Sequence, residues 1–191
     1  MEAYRKALPI LERGAAILQA GRQQLHSSQP LPPAPNDDIY RLLSAVHLRL
    51  GDRDKAFDRA IEARNRDPLN PAMYSQVGQV LSAAGQPEQA ATALLVGMLV
   101  TSDMGLRQQV IELYRAGLDQ QGCAIVAGPN GPAINPACAL VHRNLCDASA
   151  DAIRIQVKTG HAAIAATLKK SFLQEYRCPP GPILEALPDG K

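Results

Sequence analysis

The side chains able to do acid–base, nucleophilic or metal chemistry are few in this sequence and are not spaced to act together. His26, His47, His142 and His161 are scattered, with neither the His-x3-His nor the His-Glu-x2-His spacing that sets two imidazoles around a metal on one helical face. All four cysteines lie between Cys123 and Cys178 without a Cys-x-x-Cys pair, so the gaps fit neither a zinc knuckle or ribbon nor a thioredoxin-type redox centre. They are read either as small buried thiols or as two disulfides. No Gly-x-Ser-x-Gly nucleophile elbow is present. His142-Arg143-Asn144 echoes a kinase catalytic loop but lacks its Asp. Gly128-Pro129-Asn130-Gly131-Pro132 cannot cradle phosphate, because Lys and Ser/Thr are missing and proline removes amide donors. Asp52, Arg53, Asp54, Lys55, Asp58 and Arg59 read as a solvated helix face of mixed charge, and Lys169-Lys170 as a surface pair. The expectation is a chain that is not an enzyme, with no metal, no cofactor and no small-molecule substrate.

The elements that would carry any site must therefore be sought in the pattern of the chain. Its 191 residues are 46% hydrophobic and 4% aromatic, with no Trp and a formal net charge of +2. That length suits one domain or a short repeat array. Low aromatic and high Ala content favour close-packed helices over a β-sandwich. The apolar fraction is too high for a largely disordered chain, and the balanced charge offers no basic field for nucleic acid. The longest apolar run, Ala93–Val100, is less than half the roughly 18–20 residues that span a bilayer, so no direct membrane insertion is expected. Glu2, Arg5, Lys6, Glu12 and Arg13 interrupt the only stretch that could serve as a signal peptide.

A search for internal repeats is the most informative step. Residues 37–70 align with 71–104 at a shift of 34, which sets Tyr40 over Tyr74, Leu43 over Val77 and Ser44 over Gly78. Gly51 then meets Gly85, Ala56 meets Ala90, and Ala60 meets Leu94. Each segment reads as two helices broken at a Gly followed by polar residues, with Pro87 opening the last of them. The small residues recur where antiparallel helices must approach closely.

These positions resemble the tetratricopeptide repeat. The family pattern has an aromatic, Leu-Gly and a second aromatic in its first helix, Gly at the turn, Ala, an aromatic and Ala in its second, then Pro. Here the first repeat supplies Tyr40, Leu43, Ser44, Gly51, Ala56, Ala63 and Pro68; the second supplies Tyr74, Val77, Gly78, Gly85, Ala90 and Leu94. The departures are His47 and Leu81 at the second aromatic position, Ala60 at the later one, Gly97 for the later Ala, and Ser102 for Pro. His47 thus stands at a core position.

The rest of the chain divides around these repeats. Residues 1–26 read as a helix, Ala3–Leu25, with Pro9 near its start or kinking it, and 27–36 as a Pro-rich extended linker. An extra helix occupies 105–118. Residues 119–136 form a Gly/Pro loop, or a short hairpin pairing Cys123–Ala127 with Ala133–Asn135. Residues 137–179 read as a degenerate helical hairpin, Cys138–Thr159 and Ala162–Tyr176, in which Gly160 and Ala165 repeat the Gly-x4-Ala spacing; 180–191 are a loose tail. In that hairpin Cys146 and Cys178 stand at ends that should meet, which leaves Cys123 and Cys138 to close the Gly/Pro segment. Cys138 and Cys146, about 12 Å apart along one helix, cannot bridge. The disulfide reading is thus Cys123–Cys138 and Cys146–Cys178, and it would place the chain in an extracytoplasmic or periplasmic setting, as part of an exported or membrane-anchored protein. Free thiols would instead make it cytoplasmic.

The fold expected is all-α: a tetratricopeptide-like solenoid of helical hairpins with a Cys-containing C-terminal helical cap. The resemblance implies a concave groove, lined by the first helix of each repeat, that holds a protein or peptide partner. By position it would show Asp38, Arg41, Ala45 and Leu48, then Ala72, Ser75, Gln79 and Ser82, then Leu106, Gln109, Leu113 and Ala116. Arg41 and Ala45 occupy the places where chaperone-tail-binding members hold a carboxylate with Lys and Asn, so that role is disfavoured. With Arg41 facing Asp38, the groove should be weakly polar and its binding little affected by salt. The function expected is a non-catalytic interaction scaffold. The alternative is a C-terminal accessory domain, extracytoplasmic, of a larger membrane-anchored enzyme or assembly protein.

Overall fold

Helix boundaries in the first half of the chain follow from local chemistry. The computed structural model describes residues 1–24, 38–123, 126–128 and 131–180. Its first five helices are α1 (Glu2–Gln24), α2 (Asp38–Leu50), α3 (Arg53–Arg66), α4 (Pro71–Ala83) and α5 (Pro87–Thr101). The Asp52 carboxylate accepts from the Lys55 amide at 3.4 Å to open α3, and the Asn70 side chain accepts from the Ala72 amide at 3.0 Å to open α4. Pro71 and Pro87 sit at the first helical positions, where a missing N–H costs nothing. Gly51 and Gly85 end α2 and α4 with φ of +85° and +76°, a left-handed turn that a Cβ would oppose. Pro9 lies inside α1, where it removes the amide that would reach the Arg5 carbonyl.

The chain forms two compact units, Met1–Leu106 and a second from Arg107 onward. In the first, α1 packs on α2, α2 on α3, α3 on α4 and α4 on α5, and α2 also touches α4. This is the antiparallel hairpin order of the two repeats, with α1 added against the first. Ala15 of α1 joins Tyr40, Leu43, Ala63 and Met73 in one buried cluster, flanked by Leu8, Leu11 and Ile39. The Tyr40 hydroxyl points at the Ala15 carbonyl oxygen, 3.4 Å away, and the Arg66 guanidinium lies 4.1 Å from the Tyr40 ring centroid. Close approach carries the second repeat. A Cβ on Gly78 would lie 2.8 Å from Leu94 Cγ, and one on Gly97 would lie 2.4 Å from Tyr74 Cγ. Ala56, Ala60, Ala63 and Ala90 are completely buried.

In the second unit, the helix α6 (Met104–Gln120), whose first residues belong to the first unit, leads into a two-stranded antiparallel hairpin of β1 (Val126–Gly128) and β2 (Gly131–Ala133). The Gly/Pro segment is therefore a hairpin rather than an unpaired loop. Its register, Val126 opposite Ala133 and Ala127 opposite Pro132, differs from the pairing expected from sequence. A single 3-10 turn, Pro136–Cys138, is opened by the Asn135 side chain accepting from the Ala137 amide at 3.0 Å. It feeds α7 (Ala139–Lys158), which turns at Gly160 into α8 (Ala162–Lys170). The last stretch of the expected helix is instead a π-helical turn, Ser171–Glu175, closed by the Tyr176 amide on the Ser171 carbonyl at 2.9 Å. Arg177 then takes a left-handed φ of +48°, and the chain doubles back to Cys178. The Pro-rich linker 27–36, His26 and the tail from 181 onward lie outside the described residues.

Both disulfides are formed. Cys123–Cys138 spans the hairpin with a sequence separation of 15, and Cys146–Cys178 ties α7 to the segment after the π-helical turn with a separation of 32. The second bridge sits in a buried cluster with Ile153, Ala165 and Phe172. Arg107, almost wholly buried, reaches Asp151 at 3.3 Å, and Arg154 meets the same carboxylate at 2.6 Å.

Two substitutions test the repeat packing. Ala90 is fully buried between helices while Glu88, two residues earlier and on the opposite face of α5, is exposed. Ala90→Leu is expected to destabilise the chain by about 1–3 kcal/mol through overpacking, and Glu88→Ala by less than about 0.5 kcal/mol. Urea denaturation midpoints compare them; equal midpoints would contradict the hairpin packing.

Candidate functional site

The residues expected to line a groove fall in both units and are described within each. In the first unit, Ala45, Leu48 and Gln79 lie together in an open cleft of about 410 Å³ between α2 and α4. Gln79 and Ser82 are exposed; Asp38, Arg41, Ala45, Leu48 and Ser75 are partly exposed, so α1 does not cover them. Gln79 Nε2 faces Ser75 Oγ at the long distance of 3.5 Å. Asp38 and Arg41 form a two-pronged pair, with Arg41 Nη2 donating to Asp38 Oδ2 at 2.9 Å, and this hydrogen-bonded carboxylate raises the guanidinium above its ordinary value. Arg41 therefore brings its own counter-ion and does not line the cleft. Gln109, Leu113 and Ala116 belong to the second unit, where Gln109 and Leu113 are half-buried and Ala116 is exposed.

Five further residues complete the cleft: Arg49, Gly51, Arg53, Gln76 and Ala83. Neither Arg49 nor Arg53 forms an ion pair among the described residues, and both are exposed. The position-by-position reading missed them because they sit where α2 ends and α3 begins. Their orientation depends on the Gly51 turn rather than on helical periodicity. Arg49 was within reach of the pattern, one turn beyond Ala45. The cleft is thus more cationic than the sequence suggested.

Beneath the cleft runs a buried polar chain. Gln76 Nε2 donates to Ser44 Oγ at 3.0 Å, and Ser44 Oγ donates to the Ala56 carbonyl at 2.7 Å. One chain of hydrogen bonds therefore joins α4, α2 and α3 and holds the floor of the cleft at a fixed spacing. His47, 3% exposed, packs beside it with Nδ1 3.8 Å from Asp52 Oδ2. Burial pushes its pKa below the ordinary value; Asp52 and Glu12 pull it back, while Lys55 and Arg59 push it further down. The exposed Asp52 carboxylate is held below its usual range by the Lys55 ammonium, 3.1 Å away.

Two other depressions mark the first unit. One, of about 310 Å³, lies between α3 and α5 and is lined by Phe57, Ile61, Val77, Leu81, Ala93 and Val96 among others. The other, of about 480 Å³, runs from Arg53 and Phe57 to Gln86 and Gln89. Neither gathers a nucleophile and a base, and no His lines either. Among the described residues, the one cluster of side chains with metal-ligand geometry is His142, Cys146 and Cys178, two of which form the second disulfide. No helix of the described residues is long and apolar enough to cross a membrane.

No protein-family model matches the sequence, and no curated protein matches it significantly. Among solved structures, one similar chain comes from a structure of Naa15/Naa10 bound to HypK-THB, at 12% identity and a TM-score of 0.37. The alignment covers 94% of this chain but 26% of that one, so this chain spans about a quarter of its length.

His47 provides a pH test. The unfolded imidazole takes up a proton near pH 6.5 while the folded one resists, so stability is full above about pH 6.5 and falls as the pH drops through the lowered folded value. Replacing it with an aromatic of similar size removes that dependence. Between about pH 7 and about pH 5 the denaturation midpoint of the parent chain is expected to fall more steeply than that of His47→Phe. Parallel slopes for the two would show that His47 titrates alike in both states.

Proposed function

We propose that the chain is a non-catalytic scaffold that holds a protein or peptide partner in the α2–α4 cleft of its first unit. The observation that carries this reading is the cleft itself. Leu48 and Ala45 offer apolar surface, Gln79 offers amide hydrogen bonds, and Arg49 and Arg53 offer charge with no counter-ion among the described residues. A floor fixed by the Gln76–Ser44–Ala56 hydrogen bonds reduces the ordering cost of binding, because the surface is shaped before the partner arrives. The unpaired guanidiniums favour a segment bearing carboxylates, and they replace the expectation of salt-insensitive binding with one of salt-sensitive binding. The tetratricopeptide-like hairpins suit this role because stacked hairpins expose an extended surface. A role as the C-terminal accessory domain of a larger membrane-anchored enzyme or assembly protein is compatible with the same cleft, which would then receive a segment of the larger assembly.

The test places a photo-crosslinking amino acid at Gln79 in the cleft and, separately, at Thr92 in the α3–α5 depression. Adducts are expected from Gln79, weakened about tenfold or more by Arg49→Glu with Arg53→Glu and by raised salt. Adducts from Thr92 alone, or adducts from Gln79 unaffected by both charge reversals, would place binding elsewhere.

A further inference from the structure

The buried imidazole of His142 has no part in the cleft, and its surroundings point to a second chemistry. His142 and Cys146 lie one turn apart on α7, with Nε2 3.6 Å from Cys146 Sγ. Nε2 also donates to the Tyr176 carbonyl at 2.8 Å. The ligand-capable atoms of His142, Cys146 and Cys178 all lie within 4.8 Å of one another, and all three residues are buried. Among the described residues the other bridge has no such neighbour: Cys123 Sγ lies 3.7 Å from the Gln121 amide oxygen, and no metal-ligand cluster includes it.

We propose that, once the Cys146–Cys178 bond is reduced, His142, Cys146 and Cys178 form a site for a thiophilic metal ion, Zn²⁺ being the natural probe. A tetrahedral zinc with bonds of about 2.3 Å to sulfur and about 2.0–2.1 Å to nitrogen has an S···N edge of about 3.6 Å. That is the separation already present between Cys146 and His142. The Cα atoms of Cys146 and Cys178, 5.6 Å apart, let both freed sulfurs reach one ion. The chemistry balances in two steps. A dithiol reductant gives two electrons and two protons to the bridge and leaves as its own cyclic disulfide. Zn²⁺ then displaces the two thiol protons, while His142 moves its proton from Nε2 to Nδ1 and binds through Nε2. Water, hydrogen-bonded to the Tyr176 carbonyl that Nε2 releases, completes four-coordination. Ile153, Ala165 and Phe172 form the dry wall around the ion. The α7–α8 hairpin thereby has a covalent staple under oxidising conditions and an ionic one under reducing conditions.

The full chain, reduced with a dithiol and freed of it without air, is titrated with Co²⁺ and then Zn²⁺. The reduced chain is expected to bind one equivalent more than the oxidised chain. It should show thiolate-to-cobalt charge-transfer absorption with tetrahedral ligand-field bands, and a melting temperature that rises with zinc. Cys123→Ser with Cys138→Ser should keep this behaviour and Cys146→Ser should lose it. His142→Ala should weaken binding by more than the roughly 10–100-fold that loss of an outer-shell partner costs. Equal metal uptake in the two redox states, an octahedral cobalt spectrum, retention in Cys146→Ser, or parental affinity in His142→Ala would each overturn the proposal. If His142→Ala does not fold, the cobalt spectrum of the reduced parent decides alone.

Discussion

The distance between α4 and α5 is set by Gly97 lying against the ring of Tyr74, and the rest of the first unit is arranged around that contact. A Cβ there would overlap Tyr74 Cβ and Cγ outright, and Leu106 closes the space from another side. Hairpins this tight can be stacked only if neighbouring positions trade volume, and the repeat does so. Where the first copy has Ser44 and Ala60, the second has Gly78 and Leu94, so a larger residue in one helix answers a smaller one in the other. At Gly78 the missing side chain makes the room that Leu94 fills, with Leu94 Cγ 2.8 Å from where a Cβ would stand. Two copies with few identities therefore keep one geometry.

Ser44 does more than fill space. In place of a glycine it supplies a hydroxyl, and that hydroxyl both accepts from Gln76 and donates to a carbonyl of α3. The position corresponding to Gln76 in the first repeat is Leu42, so the network belongs to the junction between repeats and is not part of the repeat itself. Truncating either partner leaves a buried polar atom unsatisfied, a larger loss than the bond's net worth. The cleft sits directly above this junction, with the exposed Arg49 and Arg53 at its rim.

Much of the first unit was legible because its signals are local. Gly51 and Gly85 end helices by their own conformational freedom, Asn70-Pro71 and Gln86-Pro87 begin them, and the 34-residue shift ties the two sets together. The repeat spacing sets Ala56 and Ala90 where antiparallel helices approach closely, and both are buried. What escaped depends on contacts that no local pattern encodes. Arg53 joins Arg49 at one cleft because the Gly51 turn folds between them. The register of the Val126–Gly128 hairpin places Pro132 within a strand, where an edge position spares it the missing donor. The π-helical turn at Ser171–Glu175 arises where Phe172 is buried and Cys178 must return to α7, a demand of the tertiary structure on a sequence that otherwise reads as helix.

The bridge from Cys146 to Cys178 also alters how the chain would respond to tension. Force applied along the backbone passes through the sulfur–sulfur link and bypasses the segment it encloses, whose separation is 32 residues. Stretched fully, that segment would add about 110 Å of contour length at about 3.5 Å per residue. With the link intact this length stays hidden, so α7 and α8 cannot be drawn apart end to end, and only the elements outside the loop can yield. A chain held at both ends would then lengthen through its first unit and α6, while the segment between Cys146 and Cys178 kept its slack locked away.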